Sequence, residues 1–287
     1  MSVTLESLLA NSERLGSFPA IVHRINDAVE DPRFSLDEVG QIVQEDPVLS
    51  ARLLRIANSS FYSQRFPIDT IARALAVIGT KQLKELVTAT YVMNTFSAQF
   101  HNDLDTKSFW KHCIACGVAC RALATARREA NVERFYLMGL LHDLGKVLLF
   151  TELGDQSAKM LKNHQQNGIP LYQMERDQLG FDHADLGGRL LERWKLPMEI
   201  HQPVSYHHKP AEDAECPLES AILHLADIIS IGLRPGSGGQ ALIPPLNNDA
   251  WQVLHLPTSI LPELFNIIRL QYFDAVAIFL DDHAADG

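Results

Sequence analysis

Apolar residues recur with a helical period along most of the chain. Leu36, Val39, Ile42 and Val43 form one stripe. Ser35 opens it and Glu38 stands three residues on, the arrangement of a capping box. Asp46 and Pro47 start a second helix, with Pro47 tolerated in the first turn and Leu49, Leu53, Leu54 and Ala57 on one face. Pro67, Ile68 and Asp69 interrupt the pattern; Ile71, Leu75, Val77 and Ile78 resume it before Gly79, and Leu83, Leu86, Val87 and Tyr91 carry it on. Gly232 to Asn248 has repeated Gly and Pro and reads as a loop, followed by a last amphipathic helix over Pro262 to Leu280 and a fraying tail after Asp281. Strand-like alternation is weak throughout. The predicted fold is all-α, a multi-helix array of two packed helical subdomains covering residues 1–100 and 101–287.

Composition narrows the class without changing that picture. At 46% apolar and 21% charged, the chain of 287 residues reads as folded rather than disordered. The formal charge is −10 and no Lys/Arg-rich block is present, so no direct nucleic-acid binding is expected, although a small phosphorylated ligand in a local cleft is compatible with that charge. The first fifteen residues lack a basic segment followed by an apolar core, which predicts no signal peptide. The most apolar stretch, Leu137 to Phe150, is broken by His142, Asp143 and Lys146 and is too short to span a bilayer. Four cysteines, three of them clustered, do not form a secreted disulfide pattern; the expected compartment is the cytoplasm.

The chemistry concentrates after residue 100, where seven of the twelve histidines fall between His112 and His208. The strongest signal is His142-Asp143 within GLLHDLGK, Gly139 to Lys146. Neighbouring helical residues point about 100° apart, so such a pair serves one ion only near a helix edge and needs ligands from other helices. His112 upstream and Asp227 downstream supply them. The resulting His, His, Asp, Asp set suits Mn, Fe, Zn or Ni rather than Ca. If Asp143 bridges two ions, His183, His207 and His208 complete a second site, and a pair of ions about 3.5–4 Å apart would clamp a phosphoryl displacement. Lys146, one turn beyond Asp143, is then placed to meet a phosphate oxygen. His23, His101, His164, His255 and His283 read as surface or hydrogen-bonded residues, whereas His201 and His224 lie close enough to ligand candidates to support them.

These residues resemble a known family. FPAIV at 18–22, EDPVLSARLLRIANSSFY at 45–62, PIDTI at 67–71 and Ile78-Gly79 are similar to the N-terminal half of an HDOD domain, the HD-related output domain. Phe109 to Asp227 resembles the HD-phosphohydrolase-like core to which that family is related, and the likeness spans roughly residues 10 to 230. It implies a bacterial signal-transduction module acting through a protein partner, in a family many of whose members lack the catalytic residues of HD hydrolases. Here they are retained. Matched with metal-dependent HD and HD-GYP enzymes, His112, His142, Asp143, His183, His207, His208 and Asp227 stand at ligand positions, and Lys146 is matched too. The Gly-Tyr-Pro signature expected after the paired histidines is replaced by KPAEDA at 209–214, which argues against cyclic-dinucleotide hydrolysis.

Two functions therefore stand beside each other: a signalling module in which one or two divalent transition-metal ions hold helices together, and a metal-dependent phosphohydrolase with Asp143 as bridging ligand and Lys146 stabilising the transferred phosphoryl. Arg52, Arg55, Asn58 and Tyr62 lie along one helix; the default expectation is a solvated face with helix-end hydrogen bonds, the alternative a contact between the two halves or with a partner. Cys113, Cys116 and Cys120 share one face of the His112 helix as small core thiols, and Trp110, Trp194 and Trp251 are expected anchors.

Overall fold

The computed structural model describes residues 3–11, 20–96, 105–240 and 242–280, and every regular element among them is a helix. The first half contains α1 (Leu5–Asn11), α2 (Ala20–Glu30), α3 (Leu36–Gln44), α4 (Pro47–Ala57), α5 (Ile71–Ile78) and α6 (Thr80–Phe96). The second begins with α7 (Thr106–Arg127), α8 (Val132–Leu141), α9 (Leu144–Leu153), α10 (Asp155–Asn167) and α11 (Leu171–Leu179). It continues through α12 (His183–Arg193), α13 (Met198–Tyr206), α14 (Pro217–Leu233), α15 (Asn248–Leu254) and α16 (Leu261–Phe279). The boundary expected near residue 100, the Phe18-Pro19 start of the first motif, His101, His283 and the tail after Asp281 lie outside the described residues.

Local chemistry starts these helices where the sequence places the signals. Ser35 and Glu38 form the reciprocal capping box of α3, and the Asp46 carboxylate accepts from the amides of Val48 and Leu49 at 2.9 and 3.0 Å to cap α4. Thr70 caps α5, and Gly79 ends it at φ +91°, a conformation that favours glycine. One continuous apolar cluster then runs through both halves, from Leu8 and Val39 to Phe279. Trp110 is buried in it, while Trp194 and Trp251 pack against its edge. Cys113, Cys116 and Cys120 are buried and unpaired, and burial pushes the Cys113 and Cys116 thiols up, so they pack as neutral small residues.

Helix α4 ends at Ala57, so Tyr62 lies beyond it rather than along it, and Arg52, Arg55 and Tyr62 are turned into the seam between the halves instead of into solvent. Arg52 is buried, donates to the Asn94 side-chain oxygen at 3.1 Å and lies over the Phe279 ring. Arg55 donates to the carbonyl of Ala277, and the Tyr62 hydroxyl donates to Glu133 at 2.7 Å. Glu133 is also held by Arg121 at 3.1 Å, and Arg121 in turn donates to the carbonyl of Phe61. The solvated reading fails because α16 folds back against α4 and covers the polar face. Asn58 serves its own half, bracketing the loop to Ile68 with bonds to that residue's carbonyl and amide, both at 2.7 Å.

Close backbone crossings set the positions of the helices that matter most. A Cβ on Gly139 would lie 2.7 Å from the Cα of Gly117, so α7 and α8 meet backbone to backbone. That crossing brings His112, on α7, up to the end of α8.

Candidate metal centre

His142 and Asp143 sit where α8 ends and α9 begins. Asp143 is the N-cap residue of α9, yet its carboxylate makes no capping bond and turns inward. Helix ends supply most of the other ligand positions as well: His183 is the first residue of α12, and His207 and His208 follow the end of α13. His112 and Asp227 alone are placed mid-helix, on α7 and α14. Helix ends allow adjacent residues to diverge and still meet one point, which explains how His142-Asp143 and His207-His208 each contribute twice.

The inward atoms converge tightly. His112 Nε2 lies 3.3 Å from His142 Nε2, 3.4 Å from Asp143 Oδ2 and 3.3 Å from Asp227 Oδ1. His142 Nε2 is 3.4 Å from Asp143 Oδ2 and 3.5 Å from Asp227 Oδ1. On the other side of the same carboxylate, Asp143 Oδ1 is 3.4 Å from His183 Nε2, which lies 2.8 Å from His208 Nε2. His142, Asp143 and His207 also group within ligating distance, as do His183, His207 and His208.

The far sides of the rings decide what the near sides hold. His142 Nδ1 donates to Gly139 carbonyl at 2.7 Å, His207 Nδ1 to Val204 carbonyl at 2.8 Å, and His183 Nδ1 to the Glu175 carboxylate at 2.6 Å. His112 Nδ1 faces Ser230 Oγ at 3.2 Å; that hydroxyl already donates to the Asp227 carbonyl, so it accepts from the ring. In neutral rings each inward Nε2 is therefore a lone pair. Lone pairs of His112 and His142 face one another and two carboxylates inside a buried space, an arrangement that calls for a cation. Asp143 Oδ1, Asp227 Oδ1 and His207 Nε2 are buried with no hydrogen-bond partner. Ligand separations of 3.3–3.5 Å also match the edges of about 3.3 Å in a tetrahedron with bonds of about 2.0–2.1 Å. The donor set thus fits divalent transition metal.

Electrostatics agree. Burial alone would raise the Asp143 carboxyl, but His142 and Lys146 hold it well below the usual carboxylate range; burial likewise opposes ionisation of Asp227, which the adjacent His112 and His142 rings override. Burial would lower His142, yet Asp143 raises it well above the ordinary value, so without metal a proton occupies this position. Burial, reinforced by His142 and His183, pushes His207 down to about 3, and burial with His207 and His183 lowers His208. Neutral imidazoles are the ligating form.

Lys146 is fully buried, with Nζ 2.6 Å from Asp143 Oδ2. His224 supports the centre: its Nδ1 donates to the His207 carbonyl at 2.8 Å while its Nε2 accepts from the Asn247 amide at 3.1 Å. His201 instead lines a separate cleft with Arg176 and Arg189. His164 is buried and bonded to the Ile169 carbonyl.

Several contributors were not visible in the sequence. Glu175, eight residues before His183, carries no local signal; Ser230, one turn after Asp227, could have been found from that spacing. The loop after α14 is the larger omission. A Cβ on Gly238 would lie 2.6 Å from Asp143 Oδ2 and 2.7 Å from His112 Cδ2, so this backbone lies directly on the centre. The Ser237 amide bonds the Ser108 carbonyl at 3.0 Å, and the Gln240 amide, oriented to satisfy its neighbours, accepts from Lys146 Nζ at 2.6 Å.

Comparison with known proteins agrees with this architecture. The HDOD domain model matches residues 15–210. An uncharacterized protein of Treponema pallidum is 24% identical over 203 residues, 70% of this chain; the chain spans only 39% of that longer relative. An HDOD domain protein of unknown function from Geobacter sulfurreducens superposes with a TM-score of 0.80 at 25% identity, covering 96% of this chain and 98% of the other. A provisionally named phosphohydrolase from Shewanella amazonensis shares the fold with a TM-score of 0.72 at 22% identity, covering 95% and 97%. No helix among the described residues is long and apolar enough to cross a membrane. With the family model matching more than half of its length and an all-helical fold to go with it, this chain belongs to the HDOD domain family.

Proposed function

We propose that this chain is a bacterial, cytoplasmic signal-transduction module that holds two divalent transition-metal ions and acts through a protein partner. His112, His142, Asp143 and Asp227 would hold one ion, and Asp143, His183, His207 and His208 the other. The observation that carries the reading is the convergence of buried, mutually facing lone pairs with three unpartnered ligand atoms, each ring fixed from behind. Bound there, metal would tie α7, α9, α12 and α14 together, so its binding energy would also be folding energy.

A second reading, metal-dependent hydrolysis of a phosphoester, is supported by a cavity that opens onto His183 and His208. Metal would supply Lewis acidity and an activated water. For the protein's part, the Asp143 carboxylate would join the two ion sites and the Lys146 ammonium would balance its charge. Elemental analysis of protein purified without added metal or chelator, beside Asp143→Ala, tests the common premise. Two ions per chain, reduced to one or none in the variant, are expected. Equal metal content in both proteins would remove the assignment. Phosphoesterase turnover lost in Asp143→Ala would favour the second reading over the first.

A further inference from the structure

The loop after α14 divides the approach to the centre into two unlike mouths. On the His112 side the lining is polar, with Ser108, Arg234 and Ser237 beside the loop backbone. On the His183 side the cavity has a polar floor of His183, His208, Asp227 and Gln240. Apart from His164, whose ring is bonded to the Ile169 carbonyl, its walls are apolar: Leu171, Tyr172, Leu242, Ile243 and the Pro244-Pro245 pair. Tyr172 stacks on His208 with ring centroids 4.3 Å apart and planes 16° from parallel, so an aromatic wall runs directly into a ligand residue. The cavity volume is about 140 Å³, room for one small ring.

Charge is distributed just as unevenly. No Lys or Arg stands among the described lining residues of the apolar mouth, and Lys146 is buried against Asp143 and Gln240. A single anionic group at the floor would meet metal. Any further phosphate would lie against Leu and Pro with no cation to replace its lost hydration.

We propose that the apolar vestibule binds the uncharged aromatic or hydrocarbon body of a phosphomonoester, with its one phosphate directed to the His183–His208 floor. Polyphosphates and cyclic dinucleotides are excluded by the same walls. The inference rests on the metal-binding reading above and adds the substrate class. Leu242 and Ile243, on the loop, are the specificity-determining residues, since they line the same cavity as Tyr172.

Isothermal titration calorimetry on the metal-loaded full chain tests this with phenylphosphonate, inorganic phosphate and cyclic diguanylate. Phenylphosphonate is expected to bind at least about tenfold more tightly than phosphate, the effect of burying one ring, and cyclic diguanylate no more tightly than phosphate. Leu242→Asp alters an exposed loop side chain, so it should retain metal and phosphate binding while losing the tenfold preference. Equal affinity for phenylphosphonate and phosphate, tighter binding of cyclic diguanylate, or an unaffected preference in Leu242→Asp would each overturn the proposal. Elemental analysis of the same samples separates the two inferences. If the wild-type chain takes up no metal, the metal reading fails, and phenol binding to the metal-free chain then decides the vestibule alone: binding weakened by Leu242→Asp supports it, and no binding ends it.

Discussion

The halves of this molecule bury different things. In α3 to α6 the interior is built from Val39, Val43, Leu53, Ile56, Leu75 and Leu83, and α3, α4 and α5 carry their own start signals in Ser35, Asp46 and Thr70. In the second half some of the most deeply buried residues are His112, His142, Asp143, Lys146 and His183, all fully excluded from solvent. Removing apolar surface from water stabilises on its own, at roughly 25 cal/mol per Å². Removing ligands and charges from water costs free energy unless something pairs with them. The first half is thus accounted for by its own residues, whereas the second has an interior that its polypeptide leaves partly unsatisfied.

Metal removal should separate the halves most strongly. Exhaustive chelation is expected to lower stability by about 4 kcal/mol per ion held at a thousandfold excess over its Kd. Hydrogen exchange should quicken around residues 139–146, 183 and 205–230 and stay unchanged through 36–57. An unaltered melting temperature and exchange pattern would mean that the second half is self-sufficient.

The seam is the next place to break. Glu133→Ala leaves Arg121 buried without its carboxylate and frees the Tyr62 hydroxyl. A loss of about 3–5 kcal/mol in urea unfolding is expected from an uncompensated buried charge. Because the same contact joins the halves, the transition should also broaden as they begin to melt separately; a single sharp transition with unchanged midpoint would assign the cohesion to apolar packing instead.

Acid should act on the metal-free second half. His207, depressed by burial and by His142 and His183 to about 3 from 6.5, stays neutral when folded, and His208 is lowered in the same sense. The unfolded chain binds protons that the folded one refuses, so this stability is complete above pH 6.5 and declines as pH falls towards 3. His142 is raised and works in reverse, its contribution present at low pH and lost as pH rises through its folded value. Below pH 6.5 His142 is protonated in both states and adds no slope, so His207 and His208 together approach a decline of about 2.7 kcal/mol per pH unit on acidification, and His224 is lowered in the same sense. Urea midpoints of the metal-free chain at pH 7, 6 and 5 measure it, and constant midpoints would contradict it.

The smallest effect belongs to the first half. Ser35→Ala removes the α3 cap and should cost about 1 kcal/mol by thermal or urea unfolding without changing metal content. A change in metal content would show that the halves are coupled more closely than their contacts indicate.

How far these features can be read from sequence follows the same division. The helices of the first half were legible because their signals are local: a cap, a proline in the first turn, an apolar residue every third or fourth position. The cluster of candidate ligands was legible for a related reason, since paired His-Asp and His-His dipeptides stand out against helical cores. The fate of Arg52, Arg55 and Tyr62 was not, because polar residues look solvated until α16, more than 200 positions on, is seen to cover the two arginines and Glu133 of α8 to hold Tyr62.

By itself, then, the sequence determined an all-helical chain with caps at Ser35, Asp46 and Thr70 and a specific group of histidines and aspartates able to ligate metal. Periodicity and capping involve residues within about one turn of each other, so they survive in one dimension. Only the tertiary structure decided that His142 and Asp143 meet the centre from a break between α8 and α9, and that Glu175 and Ser230 fix the rings from behind. It alone laid the Gly238–Gln240 loop across the site and set an apolar mouth beside it. Those outcomes depend on backbone crossings such as Gly117 with Gly139 and on contacts between residues far apart in the chain, which no local pattern encodes.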